Sequence, residues 1–162
     1  MLIGTDIDGT LLPSPLHWGG TSRTGMMIYR LWERTGVMEK RMREARLDPL
    51  ACQILREAHA RGAGVVAITA RSDKVRQGTY DCFTRNDVGF ITPYTRAPQQ
   101  MDVAQHKTYW IQRLKVDVYL EDDCELAVRE QKILGVGGPL IVHMTDWRLM
   151  PELLRRVWEE AR

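Results

Sequence analysis

Two aspartates stand two residues apart near the start of the chain, where a short apolar run gives way to a turn. They are Asp6 and Asp8, followed at once by Gly9 and Thr10. Side chains on a strand alternate between faces, so both carboxylates can share one side only where the strand ends and a loop opens around a ligand. Glycine permits the sharp turn that such a loop needs. The pattern Asp-x-Asp-Gly-Thr indicates phosphoryl-transfer chemistry, and the alternative is a strand with a solvated acidic turn.

A second acidic segment, Glu121, Asp122 and Asp123, directly follows the apolar run 116–120. Carboxylates so close together repel one another, and a bound cation removes that repulsion. A solvated acidic turn that caps the next helix is the other interpretation.

Two candidate phosphate-binding groups lie between the acidic segments. Thr69 comes near the end of the apolar run 65–70, where its hydroxyl and the following backbone amides, beginning with Ala70, are suited to hold a phosphoryl oxygen. A threonine in this place also commonly bonds to the backbone of a turn. Lys107 precedes the second acidic segment, where an ammonium group would neutralise a transferring phosphoryl group, and a solvated surface lysine is the alternative.

These groups all fall where an element ends, in a pattern of alternating strands and helices. After the first strand, the pattern predicts further strands at 65–70, 90–91, 116–120 and 140–144. It predicts helices at 24–36, 37–46, 49–62, 73–85, 102–115, 124–134 and 151–161. This alternation is typical of an α/β fold with a doubly wound, mostly parallel, Rossmann-like sheet whose ligands sit at the carboxyl ends of the strands.

The length of 162 residues, with 44% hydrophobic and 27% charged residues, predicts one domain spanning 1–162. Within it, residues 13–47 are expected to form a flap and a small helical, cap-like insertion after the first strand. The net charge of +2 is too small to indicate nucleic acid by itself. Three widely spaced cysteines give neither a disulfide framework nor a zinc site, which favours the cytoplasm. No apolar run predicts a membrane span or signal peptide, so we expect no membrane partner.

The order of the four motifs resembles that of the haloacid dehalogenase (HAD) superfamily. An acidic pair follows the first strand, a threonine follows the next, and a lysine precedes the last acidic cluster. Most members of this superfamily are Mg²⁺-dependent phosphatases that work through an aspartyl-phosphate. The resemblance covers nearly the whole chain and implies a phosphoric monoester hydrolase on a Rossmann-like HAD core.

The resemblance also implies a role for each matching residue. Asp6 is expected to attack phosphorus, and Asp8 to act as the general acid and then as the general base. Mg²⁺ is the expected cofactor, held by Asp6, the backbone carbonyl of Asp8 and Asp122, with Glu121 or Asp123 nearby. Members with other chemistry generally replace the second aspartate, so Asp8 favours hydrolysis of a phosphate ester.

The small insertion indicates the substrate class, because HAD enzymes with little cap tend to accept large or polymeric substrates. Residues 69–72 and 94–96 look loosely similar to the phosphatase domain of polynucleotide kinase-phosphatases. This similarity implies a nucleotide or nucleic-acid end as substrate, with its phosphates contacted by Arg71 and Arg96. The chain lacks the Gly-x-x-x-x-Gly-Lys-Ser/Thr loop, so a kinase activity would have to reside on another polypeptide.

Three other functions remain as alternatives. One is a phosphatase of small molecules, such as deoxynucleotides or sugar phosphates. A second is a phosphoacceptor signalling module of the receiver type, although there threonine and lysine follow the phosphorylated aspartate, whereas Thr69 and Lys107 precede the second acidic segment here. The third is a scaffold that keeps the fold without turnover.

Overall fold

The computed structural model describes residues 1–13, 31–32, 34–96 and 102–160. Its strands are β1 (Leu2–Thr5), β2 (Gly64–Ser72), β3 (Thr92–Arg96), β4 (Val118–Glu121) and β5 (Leu140–His143). They form one sheet in the order β3-β2-β1-β4-β5, and every neighbouring pair is parallel. The α/β fold class with a parallel, Rossmann-like sheet is therefore confirmed.

Helices cover both faces of this sheet. They are α1 (Val37–Glu44), α2 (Pro49–Ala60), α3 (Arg76–Arg85), α4 (Val103–Leu114), α5 (Cys124–Leu134) and α6 (Met150–Glu160), with short 3₁₀ turns at Asp73–Val75 and Trp147–Leu149. Within the described ranges, no helix is both long and apolar enough to cross a membrane.

The side-chain alternation of the strands creates two separate cores. In β2, Val65 and Ala67 pack in a large cluster with residues of α2, α3 and α6. Val66 and Ile68 point the other way and join a smaller cluster with Ile111 of α4. A strand that is apolar on both faces reads as a continuous hydrophobic run, which is why β2 was predictable from sequence.

The route of the chain through the sheet determines where a ligand can bind. From β1 the chain moves outward through β2 to β3, and then returns to the other side of β1 to form β4 and β5. The strand order therefore reverses between β1 and β4. In doubly wound sheets the crevice at the carboxyl ends of two such strands is the usual ligand site.

The described part of the insertion between β1 and β2 packs against the rest of the domain. Met38 and Met42 of α1 are buried. The contact with α3 is close, since a Cβ added at Gly78 would lie 2.6 Å from the backbone oxygen of Glu39. An ion pair of 2.9 Å between Arg43 Nε and Asp81 Oδ2 adds to this contact. Residues 14–30, which include most of the expected flap and of the expected helix 24–36, lie outside the described residues.

The strand predicted at Phe90 and Ile91 is wrong. These residues belong to a turn in which the Ile91 amide donates to the Val88 carbonyl at 3.0 Å, and β3 begins two residues later at Thr92. The run from Thr92 contains Pro93, which argues against a central strand, but β3 lies at the sheet edge where a missing amide donor is tolerated.

Other element boundaries differ by a few residues. The helix expected from residue 73 starts as the 3₁₀ turn Asp73–Val75, and Ser72 Oγ accepts the Lys74 amide there at 3.2 Å. The strand expected from Val116 starts at Val118. Asp48 Oδ1 accepts the amides of two residues in the first turn of α2, as expected for its capping position before a proline.

Candidate active site

The carboxyl ends of β1 and β4 bring the two acidic segments together. The Asp6 amide donates to the Leu120 carbonyl at 2.9 Å, which extends the pairing of these strands by one residue. Glu121 ends β4 and Asp122 follows it. One carboxylate oxygen from each of Asp6, Glu121 and Asp122 lies within 4.8 Å of the others. Residues 115 positions apart in sequence thus form one acidic cluster at the switch point.

The turn after β1 shapes the space for the Asp122 side chain. Gly9 has a φ of 82°, and a Cβ built on it would lie 1.8 Å from Asp122 Oδ2. Thr10 Oγ1 donates to Asp122 Oδ1 at 3.2 Å. Both residues fix the position of the Asp122 carboxylate: Gly9 leaves room for it, and Thr10 donates a hydrogen bond to it. The sequence pattern predicted a turn at Gly9 and included Thr10, but it did not predict the contact of either residue with Asp122.

Lys107 places its ammonium group inside this cluster. Its Nζ lies 3.2 Å from Asp6 Oδ1 and 2.5 Å from Glu121 Oε2. The side chain is only 2% exposed, so the alternative of a solvated surface lysine is wrong. A buried ammonium that is paired with two carboxylates is rigidly held.

The electrostatics of the cluster follow from its burial. Burial raises the pKa of Asp6, as do Asp8 and Asp122, while Lys107 opposes the shift. Burial also raises the pKa of Glu121 to about 7, and Asp6 adds to that shift. For Lys107, burial lowers the pKa, but its acidic neighbours outweigh burial and the net shift is upward, so it stays an ammonium ion.

The residues of the cluster fit a divalent cation. Three carboxylates cluster beside a single ammonium group, which pairs with two of them, so that acids outnumber bases in a largely buried place. The donor set consists of oxygens alone, which Mg²⁺ prefers, and a cation would offset both the burial and the carboxylate repulsion that raise the pKa of Asp6. Because Gly9 has no Cβ, the Asp122 carboxylate has room to lie beside those of Asp6 and Glu121.

Asp8 lies on the other side of the site, toward β2. Arg71 Nε donates to Asp8 Oδ2 at 2.6 Å, and Arg71 Nη2 donates to Asp8 Oδ1, so the pair is bidentate. The Arg71 side chain is 6% exposed and that of Asp8 is 21% exposed. The remaining Arg71 nitrogen, Nη1, contacts Met42 Sδ of α1. The structure thus places Arg71, expected on substrate phosphate, against the carboxylate of Asp8.

Thr69 and Ala70 lie in an irregular stretch of β2. Ile68 pairs with Tyr94 and Ser72 with Arg96, so four steps along β2 match only two along β3. This irregularity interrupts the pairing of the residues between them with β3. Thr69 Oγ1 accepts the Arg71 amide at 3.2 Å, which is the turn-stabilising contact that we gave as the alternative to phosphate binding.

Two predicted site residues lie apart from the acidic cluster. Asp123 Oδ1 accepts the Leu126 amide at 3.0 Å and caps α5, and Asp123 is not one of the three clustered acids. Arg96 ends β3 and is half-buried. It lies near His106, whose pKa is lowered to about 4 by burial and by the charge of Arg96.

Glu130 is a site neighbour that sequence analysis missed. It is fully buried in α5, and among the described residues neither of its carboxylate oxygens has a hydrogen-bond partner. Burial raises its pKa to about 8, although the nearby Lys107 acts in the opposite direction. Its only sequence signal is its position three residues after the buried Ala127, on the inward side of the helix.

Fold and site together define an α/β protein with a doubly wound parallel sheet and an acidic, lysine-containing site at its switch point. Comparison of the chain with known protein families, with curated proteins and with solved structures gives no match. The functional argument therefore rests on the residues of this chain and their geometry.

Proposed function

We propose that the chain is a Mg²⁺-dependent phosphatase of the HAD superfamily, which hydrolyses a phosphate monoester through an aspartyl-phosphate on Asp6. The observation that carries this proposal is the meeting of Asp6, Lys107 and Asp122 at one switch point. They come from the residue after β1, from α4 and from the residue after β4, in the order that the HAD motifs require. A solvated acidic turn would need neither the buried lysine nor the glycine beside Asp122.

Asp6 is the proposed nucleophile. Its carboxylate attacks phosphorus, the bond from phosphorus to the leaving oxygen breaks, and the phosphoryl group is transferred to Asp6. Lys107, 3.2 Å away, offsets the repulsion between this carboxylate and the substrate phosphate. Asp6 and Asp122, with Glu121 nearby, would hold Mg²⁺, which would supply further positive charge at the phosphoryl group.

Asp8 is the proposed general acid and base. In its protonated form it donates a proton to the leaving oxygen, and as a carboxylate it then takes a proton from the water that attacks the aspartyl-phosphate. The Thr69 hydroxyl and the Ala70 amide are proposed to hold a phosphoryl oxygen. The interrupted pairing of β2 with β3 at these residues supports this role, because an amide outside the ladder can bind an oxyanion.

We propose a nucleotide or nucleic-acid end as the substrate. The insertion after the first strand spans only residues 13–47, its helix α1 packs on α3, and a site with so small a cover can admit a polymer. Arg71 and Arg96 supply cations on the β2 and β3 side of the site for substrate phosphates.

A small phosphorylated metabolite is the second candidate, favoured by a cavity beside the cluster. The cavity has a volume of about 300 Å³, which is at the lower end for small-molecule pockets. It is lined by residues of the loops after β1 and β5, among them Gly9, Thr10, Asp146 and Arg148. Since Thr10 also binds Asp122, the cavity adjoins the proposed metal ligands.

The test is phosphate release from a panel of esters, with Mg²⁺ and with EDTA. The panel contains p-nitrophenyl phosphate, mononucleotides, sugar phosphates and oligonucleotides with a 3′- or 5′-phosphate. Preference for an oligonucleotide supports the first substrate class, and preference for a mononucleotide or sugar phosphate supports the second. Absence of Mg²⁺-dependent release from every member would overturn the proposed function.

A further inference from the structure

We propose that Arg71 binds Asp8 in the free site and exchanges this carboxylate for the phosphoryl group of the substrate, so that substrate binding itself releases Asp8. This inference rests on the proposed function and specifies how the site responds to its substrate. The ligand class is a tetrahedral oxyanion with two negative charges, for which inorganic phosphate is the simplest probe.

The geometry of the pair supports an exchange between two anions. Arg71 presents Nε and Nη2 to the two oxygens of Asp8 as a planar fork. The same fork matches two oxygens of a phosphate as well as two oxygens of a carboxylate. A phosphate in the site is therefore a direct competitor of Asp8 for the same two donors.

The burial of the pair determines how the competitor arrives. Arg71 is 6% exposed and its third nitrogen contacts the sulfur of the buried Met42, so the guanidinium is closed off on the side of α1. Asp8 is 21% exposed and is the more exposed member of the pair. An anion approaching the guanidinium therefore meets it where Asp8 lies, and binding and displacement become one event.

The two cations of the site, Lys107 and Arg71, differ in whether an incoming anion can replace their carboxylate partners. Lys107 is held between Asp6 and Glu121 and is 2% exposed, so it stays between the acids. Arg71 has its bidentate contact with one partly exposed carboxylate, and it lies in the stretch where β2 is irregular. Of these two cations, Arg71 is the one with a partner that an incoming dianion can replace.

Competition of this kind has a measurable thermodynamic signature. Replacing Asp8 by asparagine keeps its volume and removes the charge that holds the fork. Phosphate should then bind more tightly, and the gain in affinity should be larger while Arg71 is present to receive the phosphate. Loss of charge repulsion alone would tighten binding by the same factor with or without Arg71, so the comparison of both backgrounds isolates the exchange.

The experiment measures the dissociation constant of inorganic phosphate by calorimetry at saturating Mg²⁺, for the wild type, Asp8→Asn, Arg71→Met and the double variant. We expect Asp8→Asn to tighten phosphate binding about tenfold with Arg71 present, and by a clearly smaller factor in the Arg71→Met background. Equal effects of Asp8→Asn in the two backgrounds would overturn the exchange. Circular dichroism of each variant serves as the folding control.

A second arginine variant covers a loss of folding in Arg71→Met. Arg71→Lys keeps the positive charge but loses the fork, and it should reduce the tightening caused by Asp8→Asn well below that in the Arg71 background. Full tightening with lysine in place of arginine would also overturn the proposal. A chain that releases phosphate from esters but lacks this coupling refutes the exchange alone, whereas absence of Mg²⁺-dependent release refutes the proposed function.

Discussion

The two sides of the site hold their aspartates in different ways. On the β4 side, Asp6 shares the ammonium group of Lys107 with Glu121, and Asp122 lies beside them, so acids outnumber bases. On the β2 side, one carboxylate, Asp8, meets one guanidinium in a bidentate pair.

The difference explains how two aspartates only two residues apart can take different roles. The β4 side carries an excess of buried negative charge and therefore suits a cation and an attacking carboxylate. The β2 side is neutral as a pair and partly exposed, which suits a group that must change partners and protons during the reaction. The β4 side, where acids outnumber bases, favours metal binding. The Asp8–Arg71 pair, in which the charges cancel, favours exchange of one anion for another.

The largest effect is expected from removing the cation of the β4 side. Lys107→Met leaves the buried acids without their ammonium partner, and breaking a buried pair in this way costs about 3–5 kcal/mol of stability. Activity should fall by about 10³-fold, since the phosphoryl group also loses its cation. Urea unfolding and phosphate release measure the two losses. The exposed Lys132 offers the control Lys132→Met, and an equal loss in both variants would contradict this account.

A smaller effect is expected when one metal ligand becomes neutral. Asp122→Asn should raise the Mg²⁺ concentration for half-maximal activity by at least about tenfold, because one of the three clustered carboxylates loses its charge. Asp123→Asn is the matched control. Its carboxylate caps α5, and asparagine caps a helix about as well, so this variant should keep the wild-type Mg²⁺ dependence. Equal shifts in both variants would mean that Asp123 also binds the metal.

The space beside Asp122 can be tested with a single methyl group. Gly9→Ala should weaken Mg²⁺ binding and activity, because the new Cβ would lie 1.8 Å from Asp122 Oδ2. Gly36→Ala is the control: Gly36 also has a positive φ, 73°, but no atom of the described residues lies within 4 Å of its added Cβ. Gly36→Ala should lower the stability by about 1 kcal/mol and leave the activity unchanged. Activity assays at several Mg²⁺ concentrations, together with thermal unfolding, compare the two. Unchanged Mg²⁺ dependence in Gly9→Ala would contradict the proposed position of Asp122.

The smallest effect on activity is expected at Glu130, whose substitution acts on stability. Its pKa is about 8 in the folded chain, against 4.5 as the ordinary value. Between pH 4.5 and pH 8 the folded state keeps a proton on Glu130 that the unfolded state has released. The free energy of unfolding therefore falls as pH rises, by about 1.4 kcal/mol per pH unit. Glu130→Gln lacks this contribution and should gain stability over the wild type from mildly acidic to mildly alkaline pH. Urea unfolding in EDTA measures the difference, and a pH-independent difference would contradict the assignment.

Local patterns predicted much of the fold. The helix Cys124–Leu134 has the expected bounds, and Asp48 before a proline marks the start of α2. Such signals depend on neighbours in sequence, that is on periodicity and capping. The strand placed at residues 90–91 was wrong because Pro93 discourages a strand, and its tolerance depends on the edge position of β3.

The site was less predictable, for a physical reason. Asp6, Glu121, Asp122 and Lys107 were predicted as parts of one site, and they meet at the carboxyl ends of β1 and β4, although their roles stay predictions. The pair of Asp8 with Arg71 joins residues 63 positions apart, and no local pattern encodes that contact. Glu130 reads in sequence as an ordinary helical glutamate, because only the packing of α5 reveals its burial.

The central claim is that Asp6, on the crowded side of the site, becomes phosphorylated. The most direct measurement is mass spectrometry of peptides after rapid acid quench of the enzyme with the best ester of the panel and Mg²⁺. We expect a phosphoryl group on the peptide that contains Asp6, absent with EDTA and absent in Asp6→Asn, which should also lose turnover. Turnover without this adduct, turnover retained in Asp6→Asn, or an adduct on another residue would contradict the account.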